Sequence, residues 1–273
     1  MNEPQKHGKE IGLEELKVLQ MDVLQAIDEF CREHDIRYSL ACGTLLGAIR
    51  HKGYIPWDDD IDIYVPRADY KRLLEEFPET YREHYKITSL ERDQLWNRPY
   101  AKAYDDRTVF DEDARNSEQI GVNIDVFPVD EAPYGDEWIK YDKKRRKEQT
   151  IFSLKFVRLN KQRSILKNAV LLFYRSVTCL NPTRKWAEHL NIKAQQFNGK
   201  GYQHLFENCQ GLMQKRPFPK SLFDELIYVP FENRQFKAFA DYDCYLKNGF
   251  GDYMKFPPKE KQVSHHAFKA YWK

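Results

Sequence analysis

The run Trp57-Asp58-Asp59-Asp60-Ile61-Asp62-Ile63 constrains this chain more than any other stretch. Residues 61–65 alternate apolar and polar, the pattern of a strand whose successive side chains point to opposite faces. Asp60 and Asp62 then share one face, and Ile61 and Ile63 share the other. Two carboxylates side by side on a half-buried strand repel each other unless a cation sits between them. Mg²⁺ suits that role, with Mn²⁺ as the alternative: it is hard, it prefers oxygen, and it takes few carboxylates alongside substrate phosphates. A third carboxylate, Asp125, has a similar setting in Val122-Asn123-Ile124-Asp125-Val126-Phe127. If the two strands are neighbours, three carboxylates converge in the outline of a two-metal phosphoryl-transfer site. The bland alternative is an ordinary exposed strand face with acids in a loop.

Upstream lies Ala41-Cys42-Gly43-Thr44-Leu45-Leu46-Gly47. A strand, then Gly43-Thr44, then a helix over 45–50 presents backbone N–H groups that bind phosphate. Gly43 allows close approach, and Thr44 is a capping residue. Arg50, Lys52 and Lys102 are candidate phosphate partners. Lys102 is the best placed of these, in a β-type stretch between Ala101 and Ala103.

The rest of the pattern gives the frame. A helix is expected over 13–34, with Leu16, Leu19, Val23, Ile27 and Phe30 on one face. Strands are expected over 38–42, 61–65, 85–89, 100–104, 108–110 and 122–127, and a helix over 68–77. Between Lys140 and Arg175 there are twelve Lys and Arg against two acids, Asp142 and Glu148. Overlapping the end of that stretch, 165–180 is amphipathic. From 218 onward the chain is rich in Tyr, Phe and Pro, with loops expected at Pro230, Gly249, Gly251 and Pro257-Pro258. The chain thus reads as α+β: a mixed sheet flanked by helices over 1–135, a basic helical insert over 136–215, and an α/loop closing segment over 216–273. A chain of 273 residues with 41% hydrophobic and 32% charged residues is globular, and a net charge of +2 argues against a bulk nucleic-acid binder. No apolar run approaches the ~20 residues of a membrane span. The N-terminus has no signal-like apolar stretch. Five scattered cysteines, with no C-x-x-C pair, suit reduced thiols in the cytoplasm.

Two long stretches resemble the LicD family. One is Gly43-Thr44-Leu45-Leu46-Gly47-Ala48-Ile49-Arg50 followed by His51-Lys52-Gly53-Tyr54-Ile55-Pro56-Trp57-Asp58-Asp59-Asp60-Ile61-Asp62. The other is Gly251-Asp252-Tyr253-Met254-Lys255-Phe256-Pro257-Pro258. Phe250 stands where the family pattern has tyrosine. The resemblance covers roughly residues 13–130 and 225–270. It implies a nucleotidyltransferase-type fold and transfer of a phosphorylated group from a CDP-linked donor to a glycan hydroxyl. Phosphocholine from CDP-choline is the leading case, on teichoic acid, lipopolysaccharide or a capsule precursor, with release of CMP. Fukutin-related proteins share the core and transfer phosphoribitol.

On this reading Asp60, Asp62 and Asp125 bind Mg²⁺ and serve catalysis, with Asp125 as the candidate base. Gly43, Thr44, Arg50, Lys52, Trp57 and Lys102 contact substrate. Trp57, Trp96 or Tyr100 would hold a choline head by cation–π contact. The basic insert has two readings: a solvated helical face, or a peripheral contact with the inner face of an anionic membrane, where each cation adds ~1 kcal/mol. Two rival functions stay open: a nucleotide-sugar glycosyltransferase, for which Asp60-Ile61-Asp62 is also an Asp-x-Asp, and a non-catalytic metal- or glycan-binding module. Asp58, Asp60 and Asp62 have the spacing of a calcium loop's start but lack its glycine. His265 and His266 are read as surface or packing residues.

Overall fold

The computed structural model describes residues 8–112, 120–157, 159, 164–178, 182–209, 215–263 and 268–273. His265 and His266 lie outside these residues.

The chain opens with β1 (Glu10–Ile11), α1 (Leu13–Glu33), β2 (Ser39–Leu40), α2 (Cys42–His51), β3 (Asp62–Pro66) and α3 (Arg67–Glu76). There follow β4 (Tyr85–Thr88), β5 (Ala101–Asp105), β6 (Thr108–Glu112) and β7 (Asn123–Ala132). The basic region holds α4 (Gly135–Ser153), α5 (Ile165–Thr178) and α6 (Thr183–Ala194). The chain closes with β8 (His204–Phe206), β9 (Phe218–Pro219), β10 (Leu226–Phe231), β11 (Arg234–Phe239), α7 (Tyr242–Phe250) and β12 (Phe268–Trp272). The fold is α+β.

The main sheet runs β2-β3-β7-β5-β4. β3 and β7 are parallel, and the other pairs on this path are antiparallel. β7 is longer than its alternating sequence suggests. It continues past Pro128 to pair with β8 at Asp130–Ala132. Pro128 falls after the last β5 partner, Val126, and before the first β8 partner, Asp130. Its missing N–H therefore lies where β7 is flanked by β3 alone.

One apolar core joins both ends of the chain. Val23, Leu24, Ile27 and Phe30 of α1 and Ile63 and Val65 of β3 pack in the same cluster as Phe231, Phe236 and Phe239 of the hairpin and Tyr245 and Leu246 of α7. The closing segment differs from the expected α/loop form, because 226–239 is a regular antiparallel hairpin. β10 is an edge strand, which is why it tolerates Pro230. A second small sheet, β1-β12-β6, ties the two ends of the chain to the strand that follows β5.

Candidate active site

The parallel register of β3 and β7 sets Asp62 directly opposite Asp125, and the antiparallel register of β5 and β7 sets Asp125 opposite Lys102. Three candidate side chains from distant parts of the chain thus form one row across the sheet. On either side of that row the partners are apolar: Ile63 opposite Val126, and Ile124 opposite Ala103. The expectation that the two aspartate strands are neighbours is met by a backbone hydrogen bond from Asp125 N to Ile61 O, 2.8 Å. Asp60 lies just before β3. Ile61 and Ile63 are wholly buried, whereas Asp60 and Asp62 are half-buried, as period two requires.

Burial, followed by the charges of Asp60, Asp125 and Asp58, pushes the Asp62 carboxyl well above the ordinary carboxylate range. Lys102 is buried. Its Nζ lies 3.0 Å from Asp125 Oδ1 and donates to Asn123 Oδ1 at 2.9 Å. The lysine thus compensates Asp125, while Asp62 sits among like charges. A divalent cation relieves such crowding, and these donors are hard oxygens of the kind Mg²⁺ takes. Among the described residues no group of three or more His, Cys, Asp or Glu side chains stands as a ready metal-binding cluster. The carboxylates that would hold such an ion are the register pair Asp62 and Asp125, with Asp60 beside them in the chain. Asp62 stands in a paired strand, not in the coil that a calcium loop would need.

The glycine-rich helix start is built around these acids. Thr44 is buried, and its Oγ1 accepts the Asp62 N–H at 2.8 Å, so its hydroxyl holds the backbone of the metal-candidate residue. A Cβ on Gly43 would stand 2.5 Å from Asp58 Oδ2, so a larger residue there would move that carboxylate from the first turn of α2. Cys42 takes a positive φ of 48° and donates its N–H to the Tyr245 hydroxyl at 3.1 Å, which brings α7 onto the start of α2. Gly47 serves packing: a Cβ there would meet Gly53 O at 2.4 Å.

The remaining predicted residues divide. Arg50 Nη1 donates to Tyr253 O at 2.8 Å and Lys255 O at 3.4 Å, and its guanidinium lies 4.9 Å from the centre of the Phe256 ring. It thereby couples the two sequence segments that carry the family resemblance. Lys52 ends α2 in the left-handed region with an exposed side chain, and its carbonyl accepts the Glu232 N–H. Trp57 is half-buried, edge-on to His51 at 6.3 Å, and His51 is edge-on to the exposed Phe256 at 5.3 Å. Trp96 and Tyr100 are not available to a ligand. Trp96 is 1% exposed and donates its indole N–H to Tyr100 O, and Tyr100 packs on Phe127.

Gln20 was invisible as a site residue. Its buried Nε2 donates to Asp59 O at 3.0 Å and Asn123 O at 3.3 Å, pinning the acidic loop to β7, while Tyr54 donates to its Oε1. The signal was an amide on the apolar stripe of α1, between Leu16 and Val23.

Comparison with known proteins gives the family. The profile described as LicD/FKTN/FKRP, nucleotidyltransferase domain, matches residues 35–164, which include Asp60, Asp62, Lys102 and Asp125. The lipopolysaccharide cholinephosphotransferase LicD of Haemophilus influenzae is 34% identical over 268 residues, covering 96% of this chain and 99% of that protein. An uncharacterized protein of Rickettsia typhi is 36% identical over 85 residues, 29% of this chain and 28% of its own length. With a relative matched nearly end to end and the profile spanning the whole aspartate row, this chain belongs to the LicD family.

Proposed function

We propose that the protein transfers phosphocholine from CDP-choline to a hydroxyl of a cell-surface glycan, releasing CMP. Its kinship over the whole chain with a lipopolysaccharide cholinephosphotransferase supports lipopolysaccharide as the acceptor class, with teichoic acid or a capsule precursor as alternatives. The observation that carries the reading is the in-register row Asp62–Asp125–Lys102 within the matched nucleotidyltransferase region.

Asp62 and Asp125, with Asp60 beside them, would hold Mg²⁺ or Mn²⁺, and the ion would supply charge neutralisation at the donor's diphosphate. Lys102, fixed by Asn123 and Asp125, places a positive charge next to the phosphoryl group as negative charge builds on the departing CMP. Asp125 is the proposed acceptor of the proton from the glycan hydroxyl. The diphosphate is proposed to approach the first turn of α2 at Gly43, whereas Lys52, at the opposite end of that helix, is set apart from this position. Trp57, with His51 and Phe256, offers aromatic surface for a trimethylammonium head. The work takes place in the cytoplasm, with a peripheral contact at the inner face of the membrane for a lipid-linked acceptor.

The test is a donor panel. The purified protein, Mg²⁺ and a glycan acceptor are incubated with CDP-choline, other CDP-linked alcohols and nucleotide sugars, and nucleotide release is followed. EDTA-sensitive release of CMP from CDP-choline, exceeding that from the other donors, is expected. Preference for a nucleotide sugar would overturn the assignment in favour of glycosyl transfer.

A further inference from the structure

An amphipathic helix in a globular protein normally turns its apolar face inward. α5 does the reverse. Ile165, Leu166, Val170 and Phe173 are exposed, at 88%, 74%, 59% and 73%, and with Ala169 they fall on one side of the helix. The opposite side meets the body of the protein. There Leu171 is buried, Tyr174 donates its hydroxyl to Ile151 O at 2.6 Å, and Arg175 donates to Val157 O. These polar groups of α5 fix the helix to the end of α4, and a continuous apolar face is held outward.

Charge says what covers this face. The stretch 140–175 carries twelve Lys and Arg against two acids. Lys140, Lys143, Lys144 and Lys147 of α4 and Lys167 of α5 are exposed. A second copy of the chain carries the same excess of cations in this region, which disfavours pairing through it. A helix of 14 residues is also only ~21 Å long and ~10 Å across, so its outward face offers roughly a few hundred Å², short of the ~800 Å² each partner gives a stable interface. An anionic lipid surface meets both halves of the pattern, taking the apolar side chains at the acyl boundary and the cations at the headgroups. No described helix is long and apolar enough to cross a membrane, so on such a surface α5 would lie in the interface plane.

We propose that α5 is a membrane-docking helix which seats the protein on anionic lipid through Ile165, Leu166, Val170 and Phe173. The docking surface stands on the geometry of α5. Its purpose, delivery of the site to a lipid-held acceptor, rests on the proposed function.

The experiment is co-sedimentation of the full chain with vesicles of phosphatidylcholine, with and without phosphatidylglycerol, at low and high salt. Wild type is expected to bind the phosphatidylglycerol vesicles and to lose binding as salt rises. The variant Leu166→Ser with Phe173→Ser, whose circular dichroism and melting temperature should match wild type, is expected to bind at least about tenfold more weakly. Equal binding by the variant, or no binding by wild type, would overturn the proposal. So would a wild-type dimer that the variant converts to monomer, since the face would then be an interface between copies. CMP release from soluble CDP-choline, measured in parallel, separates the two claims. Its absence beside variant-sensitive vesicle binding counts against the proposed function alone, and its presence without vesicle binding counts against docking alone.

Discussion

Thr44 holds a neighbouring residue in position. Its hydroxyl takes the Asp62 N–H inside a closed environment, so removing the oxygen leaves a buried donor unpaired. Thr44→Val is expected to lower stability by about 1–3 kcal/mol and to reduce turnover, while Thr44→Ser restores both. Urea unfolding and CMP release measure the two effects. Asp28 is a purely structural counterpart. Tyr38 donates to its Oδ1 at 2.6 Å, yet burial raises the carboxyl above its ordinary value of 3.8. The folded state therefore holds the proton more tightly than the unfolded chain. Stability from this group falls as pH rises from 3.8 through the folded value, and is flat above it. Asp28→Asn keeps an acceptor for Tyr38 and should abolish that component of the pH dependence, with a melting temperature at neutral pH no lower than wild type. A marked drop at neutral pH would show that the charged form is stabilising.

Among the elements, glycines set how closely α2 and its following loop approach. Gly53 O lies only 2.4 Å from where a Cβ on Gly47 would stand. Gly47→Ala must therefore push the 53–55 loop away, and with it the turn of the β10–β11 hairpin that docks there through Glu232. A loss of about 1–3 kcal/mol in thermal or urea unfolding is expected. The local elements here were legible in the sequence. The alternation around Asp62 and Asp125 and the apolar stripe of α1 each follow from neighbours a few residues away. The adjacency of Asp62 and Asp125 was conditional, because a parallel pairing of strands that far apart in the chain leaves no local mark. The hairpin was hidden by Pro230, which reads as a loop residue unless the strand is known to be an edge. Gln20 was hidden because a single amide on a helix face gives no hint of two carbonyls from other segments. Arg50 has the chemistry of a phosphate partner, and only the three-dimensional contact with Tyr253 and Lys255 shows it bracing the closing segment.

Across the whole molecule, the candidate site is a joint product of both ends of the chain. Tyr245 meets the first residue of α2, and Arg50 holds the 253–256 segment by its carbonyls and the Phe256 ring. Arg50→Ala should therefore release that segment. Faster limited proteolysis near Gly251–Phe256, with a smaller change in global melting temperature, is expected, and unchanged cleavage would count against the bracing role. The far end of the β3–β7 pair is locked separately by the buried bidentate pair of Arg67 and Asp130, at 2.6 and 2.8 Å, which keeps the parallel register that the aspartate row depends on. If that register makes Asp62 and Asp125 one cation-dependent catalytic unit, neither carboxylate can be spared. Mg²⁺-dependent CMP release from CDP-choline, compared among wild type, Asp62→Asn and Asp125→Asn, each shown to be folded, puts this to the test. A loss of about a hundredfold or more is expected in each variant. Near-normal turnover in either one would show that the pair is not the catalytic unit.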